Sequence, residues 1–152
     1  MSTDRIEKQI ELKAPIARVW RALVDHQQFG AWFRAKLEEP FAPGKVVRGQ
    51  ITYPGYEHVK MAMLVVEMVP ERLFSFRWHP NAVDASVDYT KEPQTLVEFR
   101  LEPTPNGTLL RLTESGFDQL PAGPGRDEAL RRNEGGWTEQ MKNIERHVLE
   151  TT

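Results

Sequence analysis

The sequence predicts an α+β fold: a curved antiparallel sheet wrapped round one long C-terminal helix, in the order βααββββββα. Three observations carry this expectation. From Arg126 onward, Leu130, Trp137, Met141, Ile144 and Val148 recur at steps of three and four, with Glu134 in the one missing slot. That spacing draws a single apolar stripe along a helix. Between about residue 35 and Ser115 the chain instead alternates apolar and polar residues, in runs broken by Pro, Gly and Asn. Those runs follow one another without intervening helices, so their sheet is antiparallel. A sheet of this length twists and curls, and its concave face suits a helix with one broad apolar stripe.

Each element has its own signal. Arg5 to Leu12 alternates Ile6, Lys8, Ile10 and Leu12 against Arg5, Glu7, Gln9 and Glu11, a half-buried first strand. Ala14-Pro15 ends it, and Pro15 suits the first position of a helix, where its missing N–H is not needed. That helix runs to about Val24 and buries Val19, Trp20, Leu23 and Val24. His26–Phe33 reads as a second short helix presenting Phe29, Trp32 and Phe33. Strands follow at Ala35–Glu38, at Val46–Tyr53 after the Pro43-Gly44 turn, at His58–Val69 and, after Pro70-Glu71-Arg72, at Leu73–His79. After a long connection, Thr95–Glu102 and Thr108–Ser115 form a hairpin around Pro105-Asn106-Gly107; Asn-Gly between alternating strands is a strong hairpin signal. The gripping face carries Ile6, Phe74, Phe76, Trp78, Val97, Phe99, Leu101, Leu110 and Leu112, and the polar face Lys8, Glu98, Arg100 and Glu102. In the last helix, Gly135-Gly136 interrupts a good helical pattern. Each glycine costs about 1 kcal/mol relative to alanine. Either a closely approaching backbone or space kept open beside Trp137 offsets that cost.

At 152 residues the chain is expected to form one domain, 1–152, with one core. Its net charge of -2 is spread over interspersed Lys/Arg and Asp/Glu, with no basic stripe, which argues against nucleic acid as a partner. No run is long and apolar enough to span a bilayer and none at the start reads as a secretory signal, so a cytoplasmic location is expected. With no cysteine, the chain has no disulfide, thiolate nucleophile, iron–sulfur cluster or cysteine-ligated zinc. Neither a nucleophile elbow, a glycine-rich phosphate loop nor a His-Glu-x-x-His helix is present. No cofactor and no metal are expected.

An ordered set of residues spanning Arg5 to Leu149 resembles a known family. Ala14-Pro15 is followed by Val19-Trp20 and Ala22-Leu23, then Trp32-Phe33, Val66-Glu67-Met68-Val69-Pro70-Glu71-Arg72-Leu73, Glu114-Ser115-Gly116-Phe117 and Gly136-Trp137. Together they resemble the Hsp90-ATPase-activator-homologue branch of the START-like (SRPBCC, Bet v 1-like) superfamily. The resemblance implies a helix-grip fold with an apolar cavity between sheet and terminal helix. It further implies that Phe33, Met63, Trp78, Phe99, Leu112, Glu114, Trp137 and Met141 line that cavity, although such aromatics and methionines equally serve as ordinary core.

Two places are candidates for chemistry. The connection from Pro80 to Pro93 holds Asp84, Asp88, Tyr89 and Glu92, and connections of this length are often lids or binding loops. One reading makes His79, Asp84, Asp88 and Tyr89 a polar gate at the cavity mouth; the other makes them a solvated loop with His79 hydrogen-bonded at a strand end. Glu114 continues the inward alternation of Leu110 and Leu112, so it is either a general acid or polar ligand anchor, or a strand-end carboxylate reached by water. Tyr53, Tyr56 and His58 flank the Pro54-Gly55 turn, as exposed turn residues or as part of an entrance.

The expected function is binding of a small hydrophobic or aromatic molecule. The resemblance also leaves open an enzyme of cyclase or hydrolase type acting on an aromatic or polyketide-like substrate, and an Hsp90 co-chaperone-like interaction module. The co-chaperone carries a further N-terminal domain, whereas this sequence begins directly with the START-like part, which argues against the chaperone partner. A homodimer is left open.

Overall fold

A computed structural model of the chain describes residues 5–80, 93–120 and 123–150. The elements are β1 (Arg5–Leu12), α1 (Ile16–Val24), α2 (His26–Phe33), β2 (Ala35–Leu37), β3 (Val46–Ile51), β4 (Lys60–Val69), β5 (Leu73–Trp78), β6 (Thr95–Thr104), β7 (Gly107–Ser115) and α3 (Pro124–Glu150). A short 3-10 turn, Phe117–Gln119, lies between β7 and α3. All seven strands belong to one antiparallel sheet in the order β1-β7-β6-β5-β4-β3-β2. The α+β class, the element order and the grip of sheet on terminal helix are as expected. Element ends differ by a residue or more, mostly where strands stop short of turns.

Local chemistry sets the small helices. Pro15 stands one position earlier than expected, as the N-cap of α1 rather than its first residue. The Asp25 carboxylate accepts from the backbone N–H of Gln27 at 2.9 Å and of Gln28 at 3.2 Å, which starts α2 immediately after α1. Arg34 ends α2 in the left-handed region, with φ 65°. The Trp32 indole N–H donates to the Ala22 carbonyl at 2.8 Å and ties the two helices together. Trp20 and Val24, expected in the core, are half-buried; Ala22 is fully buried instead.

The core lies between the concave face of the sheet and the three helices. Phe29 of α2 sits edge-on to Phe41, Phe74 and Phe76, with centroids 5.6, 6.4 and 6.3 Å away. Helix α3 lies along β1 and touches α1 and α2. Its buried line is Ala129, Trp137, Met141, Ile144 and Val148; Ala129 takes the place expected of Leu130, which is half-buried. Lys8 also departs from expectation: alternation keeps it on the inner side with Ile6 and Ile10, half-buried and in register with Leu112. Its long aliphatic stem covers apolar surface while the ammonium reaches water.

Candidate functional site

Among the described residues a buried polar cluster is built on Glu114. Alternation along β7 turns it inward after Leu110 and Leu112, and it is fully buried. One carboxylate oxygen accepts from Trp78 Nε1 at 2.7 Å and from Thr95 Oγ1 at 2.6 Å. The other accepts from Trp137 Nε1 at 2.8 Å, and Asn133 Nδ2 lies 3.2 and 3.3 Å from the two oxygens. The four donors come from β5, β6 and α3, so one side chain of β7 fastens three strands to the terminal helix. A buried carboxylate is costly unless its oxygens are hydrogen-bonded, and here each oxygen has at least two donors. No acceptor position is left over for a ligand, which separates Glu114 from the role of general acid or ligand anchor.

In front of this clasp lies a cavity of about 1000 Å³. Phe33, Trp78 and Trp137 form its aromatic wall, with ring centroids 5.9 Å apart for Phe33 and Trp78, 6.0 Å for Phe33 and Trp137, and 5.7 Å for the two tryptophans. Ile51, Val59 and Met61 continue it along β3, β4 and their connection. Tyr53 and Tyr56, exposed on that connection, also line it, with the Arg34 guanidinium 5.2 Å from the Tyr53 ring centre. The glycine pair of α3 borders open space. A Cβ added at Gly135 or Gly136 meets no heavy atom within 4 Å outside its own helix, and Gly136 lines the cavity. Of the two reasons considered for this pair, space beside Trp137 is the one the geometry fits.

Two further polar groups at the cavity tie its walls together. Gln140 Nε2 donates to the Phe33 carbonyl at 3.1 Å and Arg132 Nη2 to the Pro80 carbonyl at 2.8 Å, which joins α3 to the end of α2 and to the segment after β5. Lys36, Arg48 and Lys60 border the cavity from the ladder and are exposed. Register pairs Gln50 with both Lys36 and Lys60, and Arg48 with Ala62, so those side chains alternate to the face opposite Met61 and Met63.

Of the residues named from the sequence, the structure brings Phe33, Trp78, Trp137 and His79 to the cavity. His79 is half-buried there and, among the described residues, makes no hydrogen bond, contrary to its reading as a hydrogen-bonded strand end. Met63, Phe99, Leu112 and Met141 lie in the packed core and Glu114 behind the indoles, none of them on the cavity wall. Their side of the sheet or helix was read correctly. Position along the element decides the rest: Met61 and Met63 share a face of β4, but Met63 is fully buried in the core whereas Met61 is half-buried and lines the cavity. Asp84, Asp88 and Tyr89 lie outside the described residues. Among the described residues no group of His, Asp and Glu is placed to hold a metal.

Asn133, Thr95 and Gln140 are site residues that the sequence reading passed over, while Met61, one of the methionines that serve either as pocket lining or as ordinary core, lines the cavity. Asn133 had a usable signal. It stands four residues before Trp137, in the row that continues through Met141 and Ile144, and a polar residue there asks for a buried polar partner.

Comparison with known proteins fits this geometry. The family model described as Activator of Hsp90 ATPase homolog 1-like protein matches residues 13–148. The chain belongs to this family. Several solved structures share its fold at low identity. Protein MLL2253 from Mesorhizobium loti is 23% identical with a TM-score of 0.76, covering 97% of this chain and 98% of that one. The Aha1 protein from Colwellia psychrerythraea, solved in solution as a dimer, is 14% identical with a TM-score of 0.70, covering 95% of each chain. DynU16, a protein of the dynemicin biosynthetic locus, is 22% identical with a TM-score of 0.72. The match covers 97% of this chain, which spans about half of DynU16 (48%). At these identities the likeness establishes the fold. Among curated proteins none matches. No helix of the described residues is long and apolar enough to cross a membrane.

Proposed function

We propose that this Hsp90-activator-like chain binds a small hydrophobic or aromatic molecule in the cavity bounded by Phe33, Trp78 and Trp137. The observation that carries the reading is a glycine pair beside open space on an otherwise regular helix. Alanine there would favour the helix by about 1 kcal/mol for each residue, and nothing in the packing forbids it. A cavity of about 1000 Å³ is at the upper end of the range for small-molecule sites, and its aromatic wall suits a flat apolar occupant. The clasp on Glu114 supports binding over catalysis, because the carboxylate nearest the aromatic wall is already committed to four protein donors. A cytoplasmic location goes with this reading, and it holds for a monomer or a homodimer, since every wall residue named belongs to one chain.

The test is a titration with N-phenyl-1-naphthylamine, an uncharged aromatic fluorophore that brightens in apolar surroundings. Saturable binding with quenching of tryptophan emission is expected, and Gly136→Trp should abolish it while far-UV circular dichroism stays unchanged. An absence of saturable binding, or binding untouched in a folded Gly136→Trp protein, would overturn the proposal.

A further inference from the structure

We infer that the occupant of this cavity is a flat aromatic cation, such as a heteroaromatic ring with a quaternary nitrogen, stacked against Trp78 and Phe33. The inference rests on the ligand-binding reading above and adds the charge of the ligand.

The first support is the electrostatic imbalance behind the aromatic wall. Glu114 has 0% exposure, and its four partners are two indoles, a hydroxyl and an amide. All are neutral donors, the set that suits a carboxylate, and no lysine or arginine among the described residues pairs with it. Among the described residues the negative charge is thus stabilised locally but not cancelled. In a dry interior such a charge acts over longer range than in water.

The second support is the route by which that charge reaches the cavity. Trp78 and Trp137 each give their only N–H to Glu114 and each also line the cavity. A hydrogen bond to a carboxylate polarises the donor, pushing electron density into the indole ring. A tryptophan face is the best neutral partner for a cation, and this one is enriched further. Trp78 and Phe33 are half-buried, so their ring surfaces are available to a ligand.

Among the described residues, the charged side chains at the same cavity, Lys36, Arg48, Lys60, Arg132 and Glu38, are all exposed, unlike Glu114. Lys36, Arg48 and Lys60 are exposed and turned by register to the other face of the ladder. Arg132 is exposed and donates to the Pro80 carbonyl. Exposed charges are weakened by water and by added salt, whereas a buried one is screened far less.

Three probes of nearly one shape separate the outcomes: 9-methylanthracene, 10-methylacridinium and 9-anthracenecarboxylate, uncharged, cationic and anionic. Affinities are read from tryptophan quenching in low and in high sodium chloride. The expected result is acridinium bound about tenfold tighter than methylanthracene, the carboxylate weaker than both, and the order kept at high salt. In Glu114→Gln, where circular dichroism shows the fold intact, the cation preference should vanish while methylanthracene still binds; where that variant unfolds, the salt comparison decides. Equal binding of the cation and the uncharged probe, or a preference lost at high salt, overturns this inference and leaves the binding cavity in place. Failure of all three probes to bind removes the cavity reading itself.

Discussion

The indoles of Trp78 and Trp137, one on the sheet and one on the terminal helix, lie stacked with centroids 5.7 Å apart and share a single carboxylate. Each donates to a different oxygen of Glu114, so sheet and helix are held at a fixed spacing through one buried acceptor. Glu114→Gln keeps the volume but replaces one acceptor oxygen with a donor, leaving at least one indole N–H opposite another N–H. The cost should be about 1–3 kcal/mol, the penalty of a buried unsatisfied group. Glu114→Leu strands the whole donor set and should cost more than Glu114→Gln. Urea unfolding followed by far-UV circular dichroism gives both values, and near-UV signal from the tryptophan pair should fall in parallel. A Glu114→Leu protein as stable as the parent would mean the clasp does not hold the fold.

Alanine at two helical glycines should act in opposite directions. At Gly136 a Cβ enters open space, so Gly136→Ala should stabilise the chain by about 0.5–1 kcal/mol. At Gly30 in α2 a Cβ would stand 2.3 Å from the backbone oxygen of Ala35, which has no rotamer with which to yield. Gly30→Ala should therefore destabilise, through displaced backbone, by more than about 1 kcal/mol. Thermal melts of the two variants decide it; a loss of stability in Gly136→Ala would contradict the open space beside α3.

Much of this was legible in the sequence because periodicity reports faces. The 3.6-residue stripe of α3 from Trp137 onward, the alternation of β6 and β7 and the hairpin that joins them depend on local spacing and appear where they were placed. The turn itself, however, is Pro105-Asn106, with Gly107 already in β7. The candidate site was less legible for a geometric reason. Alternation says that Met61, Met63, Phe99 and Leu112 point inward, but whether a neighbour fills the space above each depends on the packing of the helices over the sheet, including where α2 ends. That end is set by the left-handed Arg34 and by Gly30 against Ala35, contacts across a turn that no period encodes. Glu114 was found as an inward carboxylate and Trp78 and Trp137 as inward aromatics, yet that they meet depends on three other elements coming together, and Thr95 stood in no pattern that marked it as a donor.

The boundary between core and cavity on β4 makes a quantitative prediction. Met63 is fully buried, so Met63→Ala should leave a void and cost about 2–5 kcal/mol. Met61 is half-buried on the cavity, where the lost contacts face space already empty, and Met61→Ala should cost under about 1.5 kcal/mol. Affinity for N-phenyl-1-naphthylamine should change in the second variant and stay unaltered in the first, provided Met63→Ala is assayed well below its melting temperature. Equal destabilisation by the two changes would place Met61 in the core.

At the far end of α3 the fold should respond to pH through His147. Burial, and then the Arg18 guanidinium, lower its pKa from the ordinary 6.5. Arg18 Nη2 donates to the His147 carbonyl at 3.3 Å, Arg18 Nη1 donates to Gln28 Oε1 at 2.8 Å, and His147 Nε2 lies 3.3 Å from that same oxygen. One patch therefore joins α1, α2 and α3. Because the folded state binds the proton more weakly than the unfolded chain, the unfolded chain carries more protons at and below pH 6.5, and stability rises with pH there. The contribution is complete above that pH and declines as the pH falls toward the depressed folded value. Melting temperatures of the parent and of His147→Gln, measured from about pH 7.5 down to about pH 5, should diverge: the parent loses more on acidification, in the window where a histidine titrates. Identical slopes for the two proteins would show that His147 charges freely in the fold.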